Sequence, residues 1–212
     1  MTYSKPTQSS FASPWRRLLC ALALLATSQL AIAQTSAPVR LRGSIEAFDA
    51  ASITVRERSG ELIALQLPAK YTFQEVLPIE ISAIAPNAFI GTAAVPGKDG
   101  TWQALEVVVF PESARGTGEG HYPWDLKPDS TMTNATVADL VRTADARRLT
   151  LRYKDGEKVI VVPDNVPVVT FRPGDPALIK TGARVFIVAT VVEGKPTISR
   201  LVIGRDGFAP PM

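Results

Sequence analysis

The sequence predicts an all-β protein of two tandem, small barrel-like modules, each carrying one short helical turn and joined by a glycine-rich connector. Three observations predict it. Apolar and polar residues alternate with period two, as in Ile53, Val55 against Ser52, Thr54, Arg56, which is the pattern of a strand with one buried face. Turn residues punctuate these runs, and no long helical period appears. Finally, two segments, about 39–111 and 133–204, overlay with an offset that drifts from 96 to 94. Drift by single residues is expected of a duplicated strand-and-turn unit, because loops absorb insertions and strand registers do not.

The elements follow in order. Ile53-Thr54-Val55 overlays Leu149-Thr150-Leu151, and Ser59-Gly60 and Asp155-Gly156 sit where hairpins turn. The returning strands are 61–67 and 157–162. A further extended piece, 71–76 or 166–171, leads to a helical turn at 80–85 or 175–180. The last hairpins are 88–95 with 101–110, and 183–192 with 196–204, so that Glu106-Val107-Val108-Val109 falls on Arg200-Leu201-Val202-Ile203. Five or six short strands with one helical turn suit a small closed barrel, the OB type among them; a pair of small sandwiches is the competing architecture.

The expected organisation is a signal peptide at 1–33, a first module at 34–114, a connector at 115–132 and a second module at 133–212. Lys5, Arg16 and Arg17 precede an apolar run from Leu18 to Ile32, and Ala31-Ile32-Ala33 is a cleavage signal. The run is too short and interrupted for a membrane span. Pro14 and Trp15 beside the arginine pair favour the general secretory route over twin-arginine export. Cys20 stands at the start of the apolar run and not at its end, and lacks a small residue before it, which argues against lipidation.

Cleavage would remove three basic residues, leaving 23 − 3 = 20 Lys and Arg against 20 Asp and Glu. A neutral mature chain has no general attraction to nucleic acid or anionic membrane. It would also hold no cysteine, which excludes disulfides, thiolate metal sites and cysteine nucleophiles.

The module opening Arg40-Leu41-Arg42-Gly43-Ser44-Ile45-Glu46-Ala47, the run Gly91-Thr92-Ala93-Ala94-Val95, the run 104–112 and the central GTGEGHYPWDL and STMTNATV resemble a family of uncharacterised exported bacterial proteins. These are built from repeated small β-barrel, OB-like domains of unknown function. The resemblance implies fold and compartment, and no activity.

Concentrated chemistry lies in the connector, which contains the only histidine. Glu119, His121, Tyr122, Trp124 and Asp125 are the candidate ligand-binding residues. Glu119, His121 and Asp125 also form a donor set suited to zinc, copper or nickel. The competing reading is structural: glycines for turns, Tyr122 and Trp124 packed, and His121 hydrogen-bonded. Trp102 is assigned to packing. On the strands that bind ligands in OB barrels lie Arg56, Arg58, Arg148, Arg152, Lys154 and Lys158, with Tyr153 as the single aromatic, which is too few for a single-strand nucleic-acid reader.

The sequence carries no Gly-x-Ser-x-Gly, P-loop or His-Glu-x-x-His motif. The expected function is an exported cell-envelope binding or accessory protein without catalysis or cofactor. It would engage an envelope protein or small ligand through the groove between modules, with no nucleic acid and no membrane span after cleavage. The alternatives are a periplasmic protein binding a divalent metal through Glu119, His121 and Asp125, and a hydrolase using Glu119 and Asp125.

Overall fold

The computed structural model describes residues 1–2, 37–142 and 147–212. The expected signal peptide, apart from Met1 and Thr2, lies outside the described residues. The described residues form an all-β fold, with fourteen strands among them in one continuous hydrogen-bonded sheet that closes on itself in two places. Among the described residues no helix is long and apolar enough to cross a membrane.

The first closed ring contains β1 (Val39–Phe48), β2 (Ser52–Glu57), β3 (Leu62–Gln66), β14 (Lys195–Gly204) and β13 (Arg184–Val192), with β13 pairing back to β1. Alternation supplies its core: Ile45, Ile53, Val55, Leu65, Ile187 and Leu201 all point inward and are buried. The second ring contains β5 (Phe89–Pro96), β6 (Trp102–Ala104), β11 (Gly156–Val162), β10 (Arg147–Tyr153) and β9 (Thr131–Arg142), closed by β5 on β9. Its core includes Ile90, Ala135, Val137, Leu149, Leu151 and Ile160.

Each ring therefore takes a three-strand meander from one half of the sequence and a hairpin from the other. The boundaries expected at residues 114 and 133 do not separate the rings, and the picture of two self-contained modules in tandem is corrected. Local patterning specifies where strands and turns fall; it does not specify which meander a hairpin closes.

Between the rings lie β4 (Thr72–Pro78) and β12 (Val168–Pro173), antiparallel to each other, with β4 parallel to β14 and β12 parallel to β7 (Val107–Val109). A third apolar cluster sits here, with Val76, Val108, Phe171, Phe186, Val202 and Met212. The helical turns expected before the last hairpins are single 3-10 turns at Ile81–Ala83 and Pro176–Leu178.

Three further details differ from expectation. The strand expected over 101–110 breaks after Ala104, where the Leu105 N–H donates to the Ala93 carbonyl. Tyr153 pairs with Gly156, so the second hairpin turns on Lys154-Asp155 and not on Asp155-Gly156. Most of the connector is loop, yet it contributes a strand, β8 (Gly120–Pro123), which runs along the start of β9.

Candidate functional site

Strand β8 sorts the connector side chains. Because successive residues point to opposite faces, His121 turns one way and Tyr122 the other. His121 Nδ1 lies 2.8 Å from Thr133 Oγ1, its ring meets Trp102 edge-on at 4.9 Å, and it stacks near Tyr153 at 6.4 Å. Burial, with the charge of Lys158, lowers its pKa. Glu119 Oε1 accepts from the Lys154 backbone N–H at 3.1 Å. Asp125 accepts from Arg42 at 2.6 Å and lies 3.8 Å from Arg40. Burial raises the Asp125 pKa, but the Arg42 hydrogen bond and the charges of Arg42 and Arg40 outweigh it and leave the carboxyl below its ordinary value.

Glu119, His121 and Asp125 are thus held by three separate sets of partners. No group of three or more His, Cys, Asp or Glu comes together among the described residues. The expected metal donor set is not assembled, and the hydrolase alternative loses the convergence of Glu119 and Asp125 that it required.

Tyr122 and Trp124 face the space between the rings, their rings 6.3 Å apart and edge-on. This space is a cavity of about 270 Å³. Its floor is apolar, with Val108, Phe110, Phe186 and Val202, and strands of both rings and the connector form its walls. Gly91 lies in the floor, where an added Cβ would stand 2.6 Å from Asn134 Oδ1 and 3.0 Å from Phe110. Gly118, at the rim, has φ +58, a conformation that side chains disfavour.

Two arginines enter this cavity. The Arg40 guanidinium lies over the Trp124 ring, 4.1 Å from its centroid, a cation–π geometry. Arg200 is partly buried there, and burial lowers its pKa, opposed by Tyr122. Among the described residues it makes no ion pair and no side-chain hydrogen bond. Tyr122 shows the complementary effect: burial raises its pKa while Arg40 and Arg200 pull it down.

Asn134, only 7 % exposed, donates through Nδ2 to Thr117 O at 3.1 Å and to Tyr122 Oη at 3.2 Å. Its Oδ1 is buried and accepts nothing, and the Trp124 Nε1–H is buried without an acceptor.

Sequence reasoning reached Tyr122 and Trp124 and missed Arg40, Asn134 and Arg200. One signal was present. The overlay of the two halves sets Arg200 opposite Glu106, an exchange of charge at matched positions that marks both as more than packing. Glu106 is fully buried, with neither carboxylate oxygen hydrogen-bonded. Burial pushes its pKa up to about 8, against the pull of Arg42. Of the basic residues expected on one face, Arg56 pairs with Glu46, Arg152 pairs with Glu157, and Lys158 lies over Trp102. Arg56 belongs to the first ring, and Arg152 and Lys158 belong to the second.

The chain matches no protein-family model, no curated protein and no solved structure.

Proposed function

We propose that this chain is an exported, non-catalytic binding or accessory protein of the cell envelope that holds a small organic ligand in the cavity between its rings. The observation that carries the reading is the cavity itself: apolar in its floor, walled by the connector, and edged by polar groups that lack partners. Small-molecule sites combine these features, a mostly apolar concavity with a few polar groups that fix orientation. A void intended only for packing would be filled, since interiors are close-packed.

Export is supported by the composition of residues 1–33. The OB type and the duplication are supported by ring order: in both rings a meander is closed by a hairpin whose second arm, or its continuation, lies parallel to the third strand of the meander.

Thermal unfolding of the chain against a panel of single-ring organic compounds tests the reading, because a ligand that binds only the folded state raises apparent stability. At least one compound is expected to raise the midpoint. Val188→Phe, which places a larger side chain in the cavity wall, is expected to abolish that rise. No shift with any compound, or an equal shift in the variant, would remove the cavity as the site.

A further inference from the structure

The cavity has a chemical bias that size and apolarity do not explain. Among the described residues, two arginines and no acidic side chain line it. Arg40 is partly balanced by Asp125 at 3.8 Å and by the face of Trp124. Arg200 has no such balance. A guanidinium brought out of water without a partner is costly, and its planar fork of donors matches a carboxylate.

Asn134, which also lines the cavity, offers no acceptor to it. Asn134 Oδ1 belongs to a side chain more than nine-tenths buried and faces Gly91 in the cavity floor. The Asn134 amide is oriented by its two Nδ2 contacts, to Thr117 O and Tyr122 Oη, since a carbonyl oxygen turned toward Thr117 O would oppose it. Oδ1 therefore lacks a donor, and it is closed off from the cavity against Gly91. The remaining lining, Val108, Phe110, Phe186 and Val202, suits a flat apolar body. A volume of about 270 Å³ admits one substituted ring.

Resting on the reading of this cavity as a ligand site, we infer that its ligand is a small aromatic carboxylate, its acid group on the Arg200 guanidinium. The connector contributes Trp124, whose ring lies under the Arg40 guanidinium.

The test is titration calorimetry of the full chain at pH 7 with three probes: 4-hydroxybenzoate, benzoate and the neutral 4-hydroxybenzyl alcohol. 4-Hydroxybenzoate and benzoate are both expected to bind, and the alcohol about a hundredfold more weakly than 4-hydroxybenzoate for want of the charge. Arg200→Gln should weaken 4-hydroxybenzoate about a hundredfold and leave the alcohol unchanged, with Arg200→Lys intermediate because charge without the fork restores part of the interaction. Denaturant unfolding of both variants separates a lost contact from a lost fold. If the alcohol binds as tightly as the acid and Arg200→Gln changes nothing, the acid class is wrong and the cavity reading survives. If none of the three probes binds, both are overturned.

Discussion

Glu106→Gln is expected to stabilise the protein in mildly alkaline solution and to leave it nearly unchanged in acid. Glu106 is fully buried between the rings with both carboxylate oxygens unpartnered, and burial raises its pKa from 4.5 to about 8, against the attraction of Arg42. Below pH 4.5 the carboxyl is protonated whether the chain is folded or not, so it contributes no pH dependence. Between 4.5 and about 8 the unfolded chain gives up this proton and the folded chain keeps it, so stability falls as pH rises. The slope is about 1.4 kcal/mol per unit, and the ceiling is on the order of 5 kcal/mol above pH 8. Glutamine has the same shape and does not titrate.

Urea unfolding of wild type and variant at pH 5 and pH 8.5 checks this. Nearly equal stabilities at pH 5 and a wild-type deficit of several kcal/mol, about 3–5 by this reckoning, at pH 8.5 are expected; parallel behaviour at the two pH values would show that the carboxyl has a partner or reaches water. Glu75 is also buried, but Arg205 donates two hydrogen bonds to it, at 3.1 and 2.5 Å.

The second large effect comes from fastening the exchanged hairpin. Ser44 of β1 and Arg184 of β13 face each other in register, and cross-strand neighbours approach closely enough for a disulfide. In a chain carrying Cys20→Ser, so that no other thiol remains, Ser44→Cys with Arg184→Cys is expected to oxidise within one molecule. Closing a loop that joins the two halves should raise stability by about 4–5 kcal/mol in the chain-entropy account. Non-reducing electrophoresis and denaturant unfolding read the two results. A pair that stays reduced, or that links only separate molecules, would mean that β13 does not close the first ring of its own chain.

Much of the strand inventory was legible because it depends on local pattern. Ile53 and Val55, or Leu149 and Leu151, alternate with polar residues and are all buried, and the turns at Ser59-Gly60 and Glu193-Gly194 fall where turn chemistry placed them. The exchange of hairpins was not legible. Phe89 to Ala104 has the same alternation whether it closes on β1 or on β9; the choice rests on packing across the whole molecule.

The site divides in the same way. Tyr122 and Trp124 stood out as aromatics in a glycine-rich run, and both line the cavity. His121 stood out equally and faces away, because a single step along β8 reverses the side chain. Arg40, Asn134 and Arg200 lie on three strands far apart in sequence. They converge only because the rings abut, which no local pattern announces.

Backbone amide chemical shifts recorded as 4-hydroxybenzoate is added test the central claim most directly, since they report where a ligand sits. The account predicts perturbations shared by both rings, at Gly91 and Asn134 of the second with Gly118 of the connector, and at Val188, Arg200 and Val202 of the first. Shifts confined to one ring, or centred on Trp102, His121 and Tyr153, would place the ligand elsewhere and contradict it.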